Sequence, residues 1–226
     1  MDAIDQIILD LPKNASILDI GCFGFIQVKR AQRLGRLDIK HAGVDSRSYT
    51  DLPRGFEFKQ CDADLSGLPF AADQFDLVIA SHVIEHLRSP ISFFGECLRV
   101  CKSEGLVYVE APSERSLWLP GSPVEHDKFF SLSFFDDPTH VGRPWTPQAL
   151  HRLAAGYGAQ VIQATHVTSR KALLKLPFVA ARAWLTKKGG EQLERTAWLA
   201  FGWACYLIAK KVQAGSPEYV YSIPPR

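Results

Sequence analysis

The chain has 226 residues, of which 46% are hydrophobic, and its formal net charge is +2. This length suits one α/β domain with an appendage, the composition excludes wholesale disorder, and the lack of any run of about 18 apolar residues argues against a membrane-spanning helix. The first ten residues are acidic where a signal peptide would be positively charged, and the five cysteines form no CxxC pair, so we predict a cytoplasmic protein with reduced thiols.

Strand and helix patterns alternate along the first two thirds of the chain. Short β-rich runs predict strands at 15–21, 39–45, 56–62, 75–81, 105–112 and 159–167, with a last strand at 218–223. Helical periodicity predicts helices at 25–35, 90–102 and 146–158. Thr146 is a suitable N-cap for the third helix, and Pro147 suits its first position. The alternation predicts a mostly parallel sheet covered by helices on both faces.

Residues 170–213 lie outside this alternation, and they predict two helices, at 171–188 and 191–211. Nine lysines and arginines against two glutamates give 170–211 a charge of +7, so the rest of the chain carries −5. Basic residues combined with tryptophans are typical of segments that rest on anionic membranes. This predicts a peripheral contact with the inner face of a membrane. A lid or a homodimer interface is the alternative.

The domain organisation follows from the same pattern. We predict an α/β domain made of residues 1–168 and 214–226, and a hydrophobic, basic helical insertion at 169–213. The basic residues do not cluster around the expected ligand face, and this argues against nucleic acid as a partner.

Polar or small residues stand at the ends of the first four predicted strands: Asp19, Gly21, Asp45, Asp62, Ser81 and His82. Ligands of such sheets bind at the carboxyl ends of the strands. A carboxylate after the second strand can accept both ribose hydroxyls, and one after the third strand can accept an exocyclic amine. Because GxGxxG and Walker motifs are absent, the sequence predicts an adenosine site rather than a pyrophosphate or triphosphate site.

Four stretches resemble successive motifs of class I S-adenosylmethionine-dependent methyltransferases: ILDIGCFG, GVD, CDADLSGLPFAADQFDLVIASHVIEHL and LRVCKSEGLVYVEAP. The resemblance covers about residues 15–165. It implies a Rossmann-like, mostly parallel sheet of seven strands, here with a helical insertion between the last two. It further implies S-adenosylmethionine as cofactor and methyl transfer as reaction. The cofactor-binding residues that it implies are Asp19, Gly21, Gly24, Asp45, Asp62, Ala63, Ser81 and His82.

The turn after the first strand departs from the family pattern, which reads D-x-G-x-G-x-G. Phe23 and Phe25 stand where the second and third glycines are expected, and Gly24 lies between them. Either the turn is one residue shorter, or Gly24 takes over the close approach to the cofactor.

A second resemblance concerns the acceptor. The segment at 125–150, with DPTHV and RPWTPQAL, resembles part of bacterial methyltransferases encoded with enzymes of surface polysaccharides and lipid-linked glycans. It implies that the acceptor is a hydroxyl of a glycan or of a lipid-linked sugar. We expect His140 to be the general base, with Asp137 and His82 as further catalytic residues. His126 and His86 are further candidate bases, and His86 is more simply explained as a structural histidine. No HxxxH or CxxC spacing is present, and no metal site is predicted.

Two other functions remain open from the sequence. One is O- or C-methylation of a small hydrophobic acceptor of the quinone or polyketide type, which would explain the many aromatic residues in 129–135 and 196–206. The other is a degenerate methyltransferase fold that acts as a partner protein without catalysis.

Overall fold

The computed structural model describes residues 2–64, 67–119 and 133–212. The helices are α1 Ala3–Asp10, α2 Ile26–Arg33, α3 Pro90–Val100, α4 Pro147–Gly156, α5 Arg170–Thr186 and α6 Gly190–Phe201. The strands are β1 Ser16–Ile20, β2 Lys40–Asp45, β3 Glu57–Gln60, β4 Phe75–Ser81, β5 Cys101–Pro112, β6 Gln160–His166 and β7 Ala204–Lys210.

The seven strands form one sheet in the order β3-β2-β1-β4-β5-β7-β6. The first five pair in parallel, whereas β7 runs antiparallel to both of its neighbours. The strand order reverses between β1 and β4, so the carboxyl ends of these two strands flank the crevice where such sheets bind ligands. The predicted Rossmann-like, mostly parallel sheet of class I methyltransferases is confirmed.

Helices cover both faces of the sheet, and successive residues of the central strand β4 are buried on opposite sides. Val78 packs in the larger core with α3 and α4, while Leu77 packs in a second core with α1. Both side chains are fully buried. This explains why β4 is a nearly continuous apolar run rather than an alternating one. The boundaries of α4 also match the sequence prediction, because Thr146 accepts a hydrogen bond from the Ala149 amide and Pro147 opens the helix.

The prediction of one helix over 191–211 is wrong in its second half. Helix α6 ends at Phe201, where Gly202 takes a left-handed conformation with φ 79°, and Ala204–Lys210 then form β7. This strand lies between β5 and β6 and is buried on both faces, so its uncharged run has the same cause as that of β4. The strand predicted at 218–223 lies outside the described residues.

Helices α5 and α6 lie between β6 and β7, which are the last two strands of the described residues. This helical insertion ends at Phe201, whereas the sequence predicts its end at residue 213. Lys210 pairs with Glu104, and the buried Lys211 donates to the Cys101 carbonyl at 2.8 Å and pairs with Asp73. These two lysines therefore stabilise the sheet, and they do not add to the charge of the helical pair. No helix in the described parts of the chain is both long and apolar enough to traverse a bilayer.

Candidate active site

A cavity of about 980 Å³ opens at the carboxyl ends of β1, β2 and β4, on the side where the strand order reverses. Predicted residues that line it are Gly21, Asp45, Asp62, Ala63 and His82. The volume and position suit a nucleoside-sized ligand.

Asp45, at the end of β2, is already partly hydrogen-bonded. One carboxylate oxygen accepts from the Tyr49 hydroxyl at 2.8 Å, and the other accepts from the Arg47 amide at 2.9 Å. Because a carboxylate offers about four lone-pair sites, two remain for a pair of ribose hydroxyls. Asp45 is therefore both oriented by its neighbours and able to bind a ligand.

The turn after β1 uses its two glycines differently. Gly21 has φ 72°, and a Cβ at this position would come within 2.7 Å of the Val83 side chain. Glycine therefore leaves its backbone exposed to the cavity, and a larger residue would occupy that space. Gly24 has φ 67° but meets nothing closer than 4.0 Å, and it does not line the cavity. Gly21 thus requires glycine for space as well as for conformation.

The two phenylalanines of this turn have separate environments. Phe23 is 64% exposed and lies against the cavity, with the Arg47 guanidinium 5.8 Å from its ring centroid. Phe25 adopts a left-handed conformation and packs edge-on against Tyr49 and Phe56. Phe25, which stands at the position of the third glycine, therefore packs into an aromatic cluster behind the turn.

Three other predicted cofactor residues do not line the cavity: Asp19, Gly24 and Ser81. Asp19 is buried beneath it in β1. Burial raises the pKa of the Asp19 carboxyl to about 7, with Asp45 adding to the increase and Arg30 opposing it. A cation bound in the cavity above Asp19 would lower the pKa of this carboxyl and favour its charged form.

His82, at the end of β4, has a left-handed backbone and lies between two glutamates. Its Nδ1 is 3.2 Å from Glu85 and its Nε2 is 3.4 Å from Glu110. Desolvation lowers the pKa of His82, but the hydrogen bonds to Glu110 and Glu85 outweigh it and raise this pKa to about 10. This raised pKa favours the imidazolium form, with both ring nitrogens protonated at neutral pH, and that form does not suit a general base. The catalytic role predicted for His82 stays a prediction.

The segment from Ser133 to Trp145 follows β5 and closes over the end of β4. The Val141 amide donates to the Glu85 carbonyl at 2.8 Å, and the Trp145 amide donates to the Pro112 carbonyl at 3.1 Å. These two backbone bonds place His140 next to His86, with 4.8 Å between their ring centroids. Residues 125–132 of the predicted acceptor segment lie outside the described residues.

The predicted base His140 is held firmly. Its Nδ1 lies 2.6 Å from the Phe134 carbonyl, and because a carbonyl only accepts, Nδ1 carries the proton and Nε2 keeps a lone pair. Asp137 lies 3.8 Å from this Nε2. The Thr139 amide and hydroxyl donate to Asp137 and hold the pKa of its carboxyl below the ordinary value.

Two further residues complete this group: Glu85, for which the sequence predicts no role, and His86, which the sequence offers as a candidate base but favours as a structural histidine. Glu85 is only 1% exposed, and His86 lines the large cavity. In the sequence, only the adjacent Glu85 and His86 in the motif after β4 point to this group. Their role depends on contact with His140, which lies 54 positions after His86 in the chain.

A second cavity, of about 420 Å³, adjoins the first and shares Leu87, Arg88 and Val141 with it. Its wall is largely apolar and includes Ile84, Ile91, Trp145 and Leu153, and its charged members are Arg88, Arg143 and Arg152. The large polar cleft thus continues into an apolar pocket beside the histidines.

The family model described as a methyltransferase domain matches residues 18–109. These residues contain β1 to β4 and most of β5, and with them the whole cofactor side of the cleft. Residues 18–109 are thus similar to a methyltransferase domain. The match supports S-adenosylmethionine as cofactor, as the resemblance implied, and the oriented Asp45 and the open backbone at Gly21 fit that molecule.

Curated relatives share this domain. A "Ubiquinone biosynthesis O-methyltransferase" of Parvibaculum lavamentivorans is 24% identical over 140 residues, which are 54% of this chain and 55% of the relative. A protein of the same name from Dinoroseobacter shibae is 25% identical over 163 residues, covering 66% and 62%. The chain thus spans roughly half to three fifths of the length of these relatives.

Solved structures agree on the fold. A chain of the complex between the Haloferax volcanii Trm112 methyltransferase activator and a methyltransferase superposes with a TM-score of 0.67 at 14% identity, covering 94% of this chain and 89% of that one. An S-adenosylmethionine-dependent methyltransferase of Archaeoglobus fulgidus gives a TM-score of 0.57 at 21% identity, covering 87% and 86%.

Proposed function

We propose that the protein transfers the methyl group of S-adenosylmethionine to a hydroxyl of a small hydrophobic acceptor of the quinone type. The apolar pocket beside His86 and His140 carries this proposal, because a flat, apolar ring needs such a wall and a sugar needs polar groups. The names of the curated relatives point the same way.

The glycan acceptor expected from the 125–150 segment is the weaker reading. The matched relatives are named for ubiquinone biosynthesis, and they favour the quinone alternative over polysaccharide biosynthesis. Ile84, Leu87 and Ile91 offer no hydrogen bonds to sugar hydroxyls, whereas the arginines at one side of the same pocket can donate them, so the choice between the two acceptors rests on the names of the relatives. A non-catalytic partner protein is disfavoured because Gly21 and the oriented Asp45 remain suited to binding a cofactor.

The cofactor supplies a methyl group already activated on a positive sulfur, so the protein mainly has to position the reactants. In this proposal Asp45 holds the ribose hydroxyls, and Asp62 and Ala63 face the adenine. The acceptor oxygen must lose its proton as it gains the methyl carbon. We assign His140 as the proton acceptor, because its Nδ1 donates to the Phe134 carbonyl and the Nε2 of the neutral ring has a lone pair.

An apolar acceptor is concentrated in membranes, and helix α5 has features of a membrane-contacting surface. Leu174, Phe178 and Leu185 are 73%, 77% and 81% exposed and lie along one line of the helix. Exposed Lys171 and Lys175 flank this line. We therefore propose that α5 rests on the surface of an anionic membrane, with the apolar line entering the headgroup region.

A methyl-transfer assay with labelled cofactor tests the acceptor class. The panel contains prenylated catechols and hydroquinones beside lipid-linked glycans. Transfer to a phenolic hydroxyl, with a kcat/KM at least about tenfold above that of any glycan, is expected from the apolar wall. Transfer to glycans alone would contradict the quinone assignment.

Vesicle co-sedimentation tests the membrane contact separately. The protein should bind vesicles that contain anionic lipid at low salt and be released at high salt, because exposed charges are screened within about 10 Å at 0.1 M salt. Phe178→Ser should weaken binding, whereas Leu37→Ser, which alters an equally exposed leucine at 78% exposure elsewhere, should not. Equal loss in both variants, or no binding at all, would refute the contact.

A further inference from the structure

Glu85, His86 and His140 each offer a ligand atom, and the three atoms lie within 4.8 Å of one another. We propose that these residues bind a divalent transition-metal ion of the Zn²⁺ class at the wall of the cofactor cleft. The inference deepens the proposed function, since it names how the acceptor hydroxyl is activated. Two imidazoles and one carboxylate with a remaining open position are the ligand set of a catalytic zinc site.

The tautomers of both histidines suit a metal. His140 Nδ1 donates to the Phe134 carbonyl at 2.6 Å. His86 Nδ1 lies 3.3 Å from the Thr139 carbonyl and 2.9 Å from the Thr139 hydroxyl, whose own proton goes to Asp137. Both rings therefore carry their proton on Nδ1 and keep the Nε2 lone pair. Holding the second ring nitrogen in this way is the usual support of a metal-ligating histidine.

The carboxylate provides independent evidence. Glu85 is 1% exposed, yet its Oε2 has no hydrogen-bond partner within the described residues, while Oε1 faces His82 at 3.2 Å. A buried carboxylate oxygen without a partner is costly, and a cation removes the cost. Asp137, 3.8 Å from His140 Nε2, adds a second negative charge beside the two lone pairs.

The geometry needs only a small adjustment. Zinc–nitrogen bonds of about 2.0–2.1 Å place neighbouring ligand atoms about 3.3 Å apart. The present spread of up to 4.8 Å would close by about 1.5 Å at most. His140 lies in a loop that contacts this region through the Val141 amide and through Thr139, so the two histidine rings can approach by side-chain and loop adjustment without disturbing the sheet.

The ion would activate the acceptor. His86 also lines the cofactor cleft, so an acceptor hydroxyl can occupy the open position. A metal-bound hydroxyl loses its proton near neutral pH. The O–H bond would break with its proton passing to solvent, and the freed oxygen electron pair would form the bond to the methyl carbon while the carbon–sulfur bond breaks and its electron pair stays on sulfur. With the ion bound His140 is a ligand, and direct proton transfer to His140 then applies only to the metal-free protein.

Titration calorimetry with Zn²⁺ alone tests the site on the reduced, chelator-treated full chain. One tight site is expected, and His86→Ala and His140→Ala should each weaken it by at least about a hundredfold. Thr139→Val, which removes the hydroxyl that links His86 to Asp137, should weaken it about tenfold. His151→Ala, an exposed histidine on α4, should change nothing. Co²⁺ absorption in His86→Gln, compared with the unaltered protein, repeats the test in a milder variant.

The outcomes separate the two proposals. Zinc affinity that is absent, or equal in the histidine variants and the unaltered protein, would overturn the metal site, even if methyl transfer to phenols proceeds in chelator. Tight binding that depends on His86 and His140 supports the site, even if no phenolic acceptor is methylated, and in that case only the acceptor class falls.

Discussion

The cofactor side and the histidine side of the cleft are built in different ways. On the cofactor side, Asp45 stands at the end of a strand whose pairing with β1 fixes its position through hydrogen bonds. On the histidine side, His140 reaches His86 because a loop docks through the Val141 and Trp145 amides. The first side is rigid and set by the sheet, whereas the second can change by a local movement of the loop.

The largest expected effect is on the histidine side. His140→Ala should lower turnover by about 10²–10⁴-fold and leave cofactor affinity unchanged, because the ring serves the acceptor hydroxyl. Steady-state kinetics together with calorimetry measure both quantities. His151→Ala is the matched control on an exposed helix face. A His140→Ala variant with full turnover would remove this residue from the reaction, and lost cofactor binding would mean that the two sides are coupled.

Asp45→Ala should act on the opposite side. It leaves two ribose hydroxyls without acceptors and should cost about 1–3 kcal/mol of cofactor binding. Tyr49→Phe removes only the hydroxyl that orients Asp45 and should cost less. Calorimetry with the demethylated cofactor measures both variants. Unchanged affinity in Asp45→Ala would show that the ribose lies elsewhere.

The cofactor side is easier to predict from the sequence than the histidine side, because strands position the first and loop docking positions the second. Strand periodicity determines where a strand ends, so Asp45 and Asp62 can be placed from local residues. The contact of His86 with His140 arises from tertiary docking, which no local pattern encodes. The β7 error has a similar origin, since a short apolar run can be a buried strand or a buried helix, and only its place between β5 and β6 decides.

A smaller effect concerns pH. The pKa of Asp19 is raised to about 7 by burial, so the carboxyl becomes neutral as the pH falls below that value. The methionine end of the cofactor carries an ammonium group, and binding it favours the charged carboxylate. Cofactor affinity should therefore fall from pH 8 to pH 6, by at most about tenfold per unit. Asp19→Asn should flatten this dependence, and a flat profile in the unaltered protein would contradict the placement of Asp19.

The smallest effect distinguishes the two glycines of the turn. Gly24→Ala should lower the free energy of unfolding by about 1–2 kcal/mol, because alanine is strained in a left-handed conformation and no neighbouring atom is crowded. Gly21→Ala adds a clash with Val83 at 2.7 Å and should destabilise the protein further, as well as narrow the cleft. Denaturant unfolding of both variants makes the comparison. Equal losses would mean that Val83 moves aside freely.

A crystal structure with the demethylated cofactor and a prenylated catechol tests the central claim most directly. We expect the ribose at Asp45, the catechol ring against Ile84 and Ile91, and one hydroxyl oxygen beside His86 and His140. A catechol bound away from the histidines, or a ribose away from Asp45, would contradict the account.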